Sequence, residues 1–438
     1  MTWDVDYLRD NRDENMGFLS KTLLPDGTEI PGTNFDYNYL QHRKVDVVSS
    51  ALDFILPFEK YKITAGAKVS FTNTRNGINY DTSDPTLVQD DYFRYKEQIY
   101  ALYADYSREF SERFSMQLGL RMEHTRTTGI SEAKDTEDKH DYTRLFPTVY
   151  LLYSPTDGHA LNFSFSNRIS RPSQNMVNPF PFYQNKYTYA CGREDLKPSY
   201  TYNAELGYTL KNNFNVSAYY SYSDDVFFQV VDLDAETNVT SFLWENFMQT
   251  HAFGLNNSYT FRTKWLQAYA QHGVSYRRTT SSAATTSPEE KGWAYDASLR
   301  NTFFFNEKKT LLATLSGSYS SRQYQGIYLM SPTYSVSAGM LYRLLDNKLN
   351  LSLNVNNLFV SHSKLETMSN GLKIIATISL PLPVSVSVYP ILSVVIYVVR
   401  VSGTVTGIFR GGYNKKFIAC WQLEENIYLC DTSDCNND

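Results

Sequence analysis

The sequence predicts an all-β protein, and specifically an antiparallel β-barrel that crosses a membrane. From about residue 43 to residue 360, apolar or aromatic residues alternate with polar ones in segments of about 9–15 residues. Polar, turn-like connections separate the segments, and short connections alternate with long ones. Aromatic residues make up 15% of the 438 residues, with 35 Tyr and 26 Phe. The Tyr side chain, an apolar ring with a polar tip, suits a surface that meets both lipid and water.

The alternation has a period of two, which indicates strands because successive side chains of a strand point to opposite faces. In residues 61–71, Ile63 and Phe71 lie on the apolar face. Lys62 and Lys68 lie on the polar face. The same pattern occurs in residues 114–123, 161–166, 214–222 and 349–355. We expect the polar face to line a wide, wet lumen and the apolar face to meet lipid.

The connections predict how the strands are joined. Tight hairpin turns are predicted at residues 58–60, 110–113, 211–213 and 306–309. Longer polar loops are predicted at residues 76–91, 129–141 and 279–291. Outer-membrane barrels have this arrangement, with short periplasmic turns and longer extracellular loops.

The number and length of the segments set this prediction apart from soluble β folds. We count about sixteen strands between residues 2 and 360. Tilted strands of about ten residues match the thickness of a bilayer. A soluble β-sandwich usually has shorter strands, and a β-propeller shows a repeat of about 40–50 residues, which this sequence lacks.

The composition argues against several functions. The net charge is −5, with 41 basic and 46 acidic residues, so we expect no nucleic-acid partner. The seven His residues lack the spacing of metal ligands, and no nucleophile or phosphate-binding motif is present. We therefore expect that the protein is not an enzyme, that it binds no cofactor, and that it has no catalytic, cofactor-binding or metal site. The alternative is an outer-membrane protease or lipase with its catalytic residues at the rim of the barrel. The acidic segment Glu132–Asp141 is a solvated loop or, alternatively, a set of calcium ligands.

One segment near the C-terminus breaks the alternation. Residues 374–399 carry no charge, and their length would allow a membrane-spanning helix. Pro381, Pro383 and Pro390 would each interrupt such a helix, and the many Val and Ile residues favour strands. The mean hydropathy of −0.41 is also too polar for a helical membrane protein. The residue types therefore argue against a helix here.

The segment from Phe163 to Leu210 carries features more specific than alternation. They are Arg168-Ile169-Ser170-Arg171-Pro172, Asn178-Pro179-Phe180, Tyr187, Gly192 and Leu196-Lys197-Pro198. Weaker features follow at Trp244-Glu245-Asn246-Phe247, Phe253-Gly254 and Asn354-Val355-Asn356-Asn357-Leu358-Phe359. Together they resemble the barrel of the TonB-dependent outer-membrane receptors, in particular the outer-membrane β-barrel family common in Bacteroidetes. The resemblance covers most of residues 40 to 365, and we interpret the Pro residues of the first block as strand ends.

The resemblance implies a transporter that imports a nutrient ligand across the outer membrane of a Gram-negative bacterium with energy supplied through TonB. Barrels of this family have about 22 strands around a globular plug. Measured against them, we expect residues 1–372 to be an N-terminally truncated barrel of about sixteen strands, without the plug domain and the TonB box. We expect such a chain not to transport alone.

Residues 373–438 are predicted to be a frameshifted or otherwise non-native tail. With suitable third bases, the codons of Val388–Val394 read from their third position give Leu-Ser-Tyr-Ser-Phe-Gly. This aromatic and polar alternation resembles the closing strand of the family, which is due at this position because a barrel in lipid must close. Cys420, Cys430 and Cys435 also lie here and match no zinc pattern. A disulfide-linked tail is the alternative.

Three functions remain open from the sequence: the barrel part of a TonB-dependent importer, a passive porin-like or structural barrel, and a surface adhesin or secreted β-protein. The expected partners are outer-membrane lipid, the TonB system through the missing plug, and a small ligand such as a metal chelate, a glycan, a peptide or cobalamin. Four aromatic residues of the specific segment could stack on a sugar: Phe180, Phe182, Tyr183 and Tyr187.

Overall fold

The computed structural model describes residues 1–378 apart from residues 22, 23, 25, 32–34, 83–89, 235, 347 and 362. Beyond residue 378 it describes residues 384–390, 404–411, 415–422 and 428–430. In this part of the chain the regular structure is β apart from one short helix. No described helix has both the length and the apolar character needed to cross a membrane.

The elements follow one another in a simple order along the chain. They are β1 (Thr2–Ser20), β2 (Phe35–Pro57), β3 (Tyr61–Thr82), β4 (Asp91–Ser111), β5 (Phe114–Ser131), β6 (Thr136–Tyr153), β7 (His159–Ser170), α1 (Gln174–Val177), β8 (Phe182–Asn185), β9 (Thr188–Cys191), β10 (Ser199–Leu210), β11 (Phe214–Leu233), β12 (Thr240–Arg262), β13 (Leu266–Ser281), β14 (Glu289–Phe304), β15 (Leu311–Ser320), β16 (Gln323–Gln325), β17 (Tyr328–Met330), β18 (Thr333–Leu344), β19 (Leu349–Val360), β20 (Ser363–Ser369), β21 (Leu372–Ile378), β22 (Val384–Pro390), β23 (Thr404–Gly411), β24 (Lys415–Gln422) and β25 (Tyr428–Cys430).

The largest sheet has 18 strands, and all of them except β8 and β9 form a continuous antiparallel wall. Each wall strand pairs with the next wall strand along the chain, from β1 to β7, then β10 to β15, then β18, β19 and β22. This up-and-down order confirms the predicted antiparallel barrel wall; fifteen described wall strands lie between residues 2 and 360, close to the predicted count of about sixteen, and β22 follows them. Among the described strands, no pairing joins β1 to β22.

The wall strands are longer than the sequence predicts. β3 has 22 residues, and β2 and β12 have 23 each. The predicted turn at residues 58–60 is confirmed, but the predicted loop bounds at 76–91 and 129–141 are wrong, because β3 continues to Thr82 and β5 continues to Ser131. The predicted loop at 279–291 is likewise shortened to the segment between β13 and β14. Pairing satisfies backbone N–H and C=O groups outside the bilayer as well as within it, so the hairpins continue past the apolar band.

The two faces of the wall differ in chemistry, as the alternation predicts. Leu102 and Leu120 are exposed on the outward face, and Leu102 lies opposite Ala67 and Met122 of the neighbouring strands. The inward positions carry mostly polar residues, such as Ser217. An apolar outer face and a polar inner face are what a barrel in lipid requires.

Aromatic side chains lie near both edges of the outward apolar band. At the end that carries the short turns, the Tyr61 ring lies with its centroid 4.5 Å from that of Phe58 and 5.7 Å from that of Tyr106. Farther along β3, the Phe71 and Tyr100 rings lie edge to face with centroids 5.8 Å apart. At about 3.3 Å per residue and a tilt of about 45°, the span from Tyr61 to Phe71 crosses about 23 Å, close to the apolar band of outer-membrane barrels.

A glycine on the inward face makes room for an aromatic side chain. Tyr103 of β4 lies across Gly66 of β3 and donates a 2.5 Å hydrogen bond to Asp53 Oδ1 of β2. A Cβ at Gly66 would lie 2.6 Å from the Tyr103 ring. Glycine is therefore needed for this close approach between neighbouring strands.

Two bodies lie over the end of the lumen that carries the long connections. The first is the inward loop, residues 171–198, which connects β7 to β10 and contains α1, β8 and β9. Its strand β9 pairs in parallel with Thr240–Leu243 of β12. The second is the cap sheet of β16, β17, β20 and β21, which is built from the connections on either side of β18 and β19.

The uncharged segment 374–399 forms strands wherever the structure describes it. Lys373 and Ile374 belong to β21, which pairs with β20 from Leu372 to Ile378. β22 pairs with β19 and so occupies the position of the next wall strand. About half of the predicted tail, including residues 379–383 and 391–403, lies outside the described residues.

Leu102→Arg tests whether the outward face meets lipid. Leu102 is 56% exposed and lies opposite Ala67, midway between the two aromatic groups. Arginine at the bilayer midplane costs an outer-membrane barrel about 2–4 kcal/mol, so we expect a loss of this size in urea unfolding from lipid vesicles. The matched control is Ser217→Arg on the inward face, which should change the free energy of unfolding by about 0.5 kcal/mol at most. Equal losses in both variants would contradict the assignment of the faces.

Candidate functional site

The inward loop is anchored at the point where it leaves β7. Arg171 Nη2 donates to Glu123 Oε2 at 2.5 Å and to Thr125 Oγ1 at 3.2 Å, both on β5. Its Nε lies 3.7 Å from Glu97 Oε1 on β4. Because a charge taken out of water needs close partners of opposite sign, these carboxylates hold Arg171, and with it the start of the loop, against the wall.

The middle of the inward loop packs on the wall through aromatic rings. Phe180 is 2% exposed, and its ring centroid lies 6.3 Å from that of Phe93 on β4. Tyr183 meets Tyr37 of β2 edge to face, with centroids 5.4 Å apart. Of the side chains that the sequence offers for sugar stacking, Phe180 and Tyr183 are therefore used in packing, whereas Tyr187 is 47% exposed.

Two hydroxyl groups fix the same part of the loop by hydrogen bonds. Tyr37 and Tyr80 each donate to the carbonyl oxygen of Pro181, at 3.2 and 3.3 Å. Phe182 packs edge to face on Tyr39, with ring centroids 5.8 Å apart. Proline has no backbone N–H, so the carbonyl is the one backbone group of Pro181 that can form hydrogen bonds. The two Tyr hydroxyls supply its donors.

Backbone hydrogen bonds join the first part of the inward loop to its last part. The Gly192 N–H donates to the Asn178 carbonyl at 2.9 Å, and the next residue's N–H donates to the Met176 carbonyl at 2.8 Å. Cys191 lies beside this crossing with its Sγ 3.1 Å from the Pro179 carbonyl oxygen. Burial raises the pKa of the Cys191 thiol, so the thiolate is disfavoured at neutral pH.

Trp244 of β12 lies between the inward loop and the cap sheet. Its ring contacts Phe227 at a centroid distance of 6.4 Å and Phe228 at 6.5 Å. Phe227 and Trp244 pack against the buried cluster of the inward loop, whereas Phe228 packs against the buried cluster of the cap sheet. The packing of these three rings connects the two bodies.

The next two residues of β12 hold the far end of the inward loop. Glu245 Oε1 lies 3.1 Å from Arg193 Nη1. Asn246 Oδ1 accepts from the Lys197 N–H at 2.8 Å, while its Nδ2 donates to the carbonyls of Lys197 at 2.8 Å and Asp225 at 2.7 Å. The segment Trp244–Phe247, which the sequence marks as characteristic, thus fastens the loop at its exit.

Asn246→Ala is expected to free the exit of the inward loop. The change removes three hydrogen bonds of about 0.5–1.5 kcal/mol net each, so local stability should fall by about 2–3 kcal/mol. Amide hydrogen exchange at Lys197 measures this, and its protection should fall by a factor of about 30 or more. Asn256→Ala, on the inward face of the same strand, is the control and should leave Lys197 protected. Unchanged exchange in Asn246→Ala would contradict the role of this side chain.

The cap sheet is packed and bonded to the wall. Ile374 is 8% exposed in its buried cluster, and the Tyr328 hydroxyl donates to the Gln229 carbonyl at 2.9 Å. Asn370 Nδ2 donates to Asp232 Oδ1 at 2.9 Å. The cap sheet is therefore part of the fold up to at least Ile374.

A cavity of about 490 Å³ opens between the inward loop and the β5–β6 turn. Charged side chains of both signs line it: Lys134, Glu137, Asp138, Arg193, Glu194 and Asp195. Several of these charges already have partners, since Arg193 pairs with Asp195 at 2.6 Å and Glu194 accepts from Thr136 at 2.8 Å. The cavity is polar and open.

The acidic segment Glu132–Asp141 is a turn followed by the start of β6 rather than a loop. Glu137 pairs with Lys139 at 2.9 Å, and Asp138 pairs with His140 at 2.8 Å. Within the described ranges, no group of three or more His, Cys, Asp or Glu side chains is placed to hold a metal ion. Glu137 and Asp138 thus lie against basic side chains of the same segment.

Residues 1–379 match the outer membrane protein beta-barrel family. The chain belongs to this family. The predicted resemblance to an outer-membrane β-barrel family is confirmed, and the match includes all of β21 and ends before β22. No curated protein matches the sequence.

Solved outer-membrane proteins share the fold of this family member. The ferripyoverdine receptor of Pseudomonas aeruginosa has a TM-score of 0.53 at 16% identity, over 83% of this chain and 51% of the receptor. The copper transporter OprC gives 0.54 at 14%, over 80% and 60%. The ferric yersiniabactin uptake receptor FyuA of Yersinia pestis gives 0.54 at 13%, over 85% and 58%. The chain thus spans between half and three fifths of the length of these proteins.

Family membership orients the barrel. The protein is an outer-membrane protein, and short turns lie on the periplasmic side of such barrels. The end that carries the inward loop and the cap sheet is therefore the extracellular mouth. The sequence predicted no catalytic, cofactor-binding or metal-binding residue, and the structure adds Glu97, Glu123, Tyr37 and Tyr80 as the wall residues that hold the inward loop.

Proposed function

We propose that the chain is the barrel part of a TonB-dependent transporter that imports a nutrient ligand. The observation that carries the proposal is the covered mouth: a polar lumen lies beneath the inward loop and the cap sheet, both of which are bonded to the wall. A passive pore needs no packed cover, whereas a receptor must hold its ligand at the mouth before import. Charged side chains of both signs line the cavity beside the inward loop, and a few well-placed polar groups of this kind orient a bound ligand.

The solved relatives support a metal chelate as the first ligand class to test. They are named as a copper transporter, a ferripyoverdine receptor and a ferric yersiniabactin uptake receptor. A glycan, a peptide and cobalamin remain the other classes, and the exposed ring of Tyr187 offers a stacking surface for a sugar. These relatives are transporters and receptors, and we propose that this protein likewise is not an enzyme.

Energy coupling through TonB requires a plug and a TonB box in addition to a barrel. Residues 1–379 match a barrel family, so we propose that these parts belong to a longer protein and that the 438-residue chain does not transport alone. We also propose that the non-native tail, which the sequence starts at residue 373, begins after Ile378 instead, because β21 pairs with β20 up to that residue and the family match ends at residue 379.

The alternative is a passive porin-like barrel. The inward surface of β10 to β13 favours it, because a polar groove there carries amide and hydroxyl groups with one carboxylate, Glu205. Such a surface would let small solutes pass without binding them.

Uptake by cells that produce the complete gene product separates the two functions. We expect saturable uptake of a radiolabelled ferric chelate that is lost in a strain without TonB. The 438-residue chain in liposomes should show no saturable uptake. Sugar entry into those liposomes at a rate that falls with solute size, together with uptake in cells that does not depend on TonB, would instead establish the passive barrel.

A further inference from the structure

We infer that the inward loop is coupled to the periplasmic half of the lumen through a chain of side-chain contacts from Asp53 to Arg171. The Tyr103 hydroxyl donates to Asp53 at 2.5 Å. The Arg121 guanidinium lies 5.3 Å from the centroid of the Tyr103 ring, and its Nε donates to Glu123 Oε1 at 2.5 Å. The other oxygen of Glu123 accepts from Arg171 at 2.5 Å.

The contacts run mainly around the wall, because Asp53, Gly66, Tyr103 and Arg121 lie opposite one another in neighbouring strands. Asp53 lies on the periplasmic part of β2, and Glu123 lies nearer the extracellular mouth than Arg121 on the same strand. Arg171 is the first residue of the inward loop at the extracellular mouth. Four of the five members come from the wall strands β2, β4 and β5, with Tyr103 reaching across Gly66 of β3 to Asp53, and the fifth comes from the loop.

Glu123 joins the wall to the inward loop. Its two carboxylate oxygens are divided between Arg121, which is held over Tyr103, and Arg171, which holds the loop. Charge-assisted hydrogen bonds depend strongly on geometry and on the charge of each partner. If Tyr103 loses Asp53, its ring and Arg121 are no longer fixed, and Glu123 can turn away from Arg171.

Through this coupling, a ligand bound in the lumen changes how firmly the inward loop is held at the extracellular mouth. A cationic group that binds Asp53 from the lumen competes with the Tyr103 hydroxyl for the carboxylate and so weakens the hold on the inward loop. By reciprocity, opening of the inward loop changes the affinity of Asp53 for that group. These contacts all lie within the barrel and the inward loop, so the coupling does not depend on which ligand is transported.

Cys191 reports the state of the inward loop, because its thiol is half-buried beside the Pro179 carbonyl. With Cys420, Cys430 and Cys435 replaced by Ser, the labelling rate of Cys191 by a maleimide measures how often the loop leaves the wall. Arg171→Gln should raise the rate about tenfold or more, since it removes a charge-assisted bond. Asp53→Asn keeps an acceptor for the Tyr103 hydroxyl but removes the charge that strengthens this bond, so it should raise the rate on the order of threefold, as expected for a residue that acts through others.

Two further variants separate coupling from general loosening. Tyr103→Phe keeps the ring under Arg121, removes only the hydroxyl and should behave like Asp53→Asn. Asp4→Asn makes the same charge change on the inward face of β1. Among the described contacts none links Asp4 to the residues from Asp53 to Arg171, so Cys191 of this variant should be labelled at the parent rate. Heat-modifiable migration on gels confirms that each variant is folded.

The double variant Asp53→Asn with Arg171→Gln decides the inference. If the two residues act through one chain, its labelling rate should equal that of Arg171→Gln alone. The inference is overturned if the two effects multiply, if Asp53→Asn and Tyr103→Phe label at the parent rate, or if Asp4→Asn accelerates labelling as much as they do.

Discussion

Gly192→Val is expected to detach the inward loop from the barrel wall. A Cβ at this position would overlap the carbonyl oxygen of Asn178 and would lie 2.7 Å from that of Met176. Both are backbone atoms, so they cannot turn away as a side chain would. The change also breaks the hydrogen bond from the Gly192 N–H to Asn178. We expect a loss of more than about 4 kcal/mol in the local stability of the loop, within the range reserved for changes that disrupt packing outright.

The loss should be confined to the inward loop and the surfaces that it covers. Amide hydrogen exchange should rise across residues 174–196, and the Cys191 thiol should become open to maleimide, while the wall strands stay protected. Gly317→Val is the matched control, because the nearest atom to a Cβ there is the Ser335 carbonyl oxygen at 3.8 Å. A loop that stays protected in Gly192→Val would show that the backbone crossing at Asn178 is not required.

The barrel wall could be predicted because each strand separates two different environments. Lipid on one side and water on the other impose a period of two, and residues 61–71 show it without interruption. The turn at residues 58–60 was equally predictable, since charged residues there separate two apolar segments. Where both faces of a hairpin meet water the alternation fades, so the continuation of β3 to Thr82 leaves little trace in the sequence.

The anchoring of the inward loop could be predicted only in part. Arg171 and Gly192 belong to the segment that resembles the receptor family, and the sequence marks them as loop-shaping residues. Nothing in the sequence singles out the wall residues that bind Arg171. Glu97 and Glu123 occupy inward positions on separate strands, where a carboxylate that faces water produces the same pattern as one that binds Arg171. Long-range pairing of this kind becomes visible only when the register of β4 and β5 is known.

Removal of residues 379–438 is expected to leave the cap sheet intact, whereas removal of residues 373–438 is expected to unfold it. The sequence places the start of the non-native tail at residue 373, but β21 pairs with β20 along its whole length. Lys373 Nζ also lies 2.8 Å from Glu366, and Ile374 is buried with Tyr328. The loss of a buried Ile alone costs about 2–5 kcal/mol, so the shorter chain should lose at least about 3 kcal/mol of cap-sheet stability.

The two truncations form a matched pair, because both remove β22 from its position beside β19. Any difference between them in the hydrogen exchange of Tyr328 and Thr367 therefore comes from β21. Protection that is kept in the longer chain and lost in the shorter one would place the end of the native sequence after Ile378, where the family match also ends. Resequencing of the gene should then show a slipped base near codon 379. If the longer chain already loses its cap sheet, the residues beyond Ile378 stabilise the barrel, and the proposal of a non-native tail is wrong.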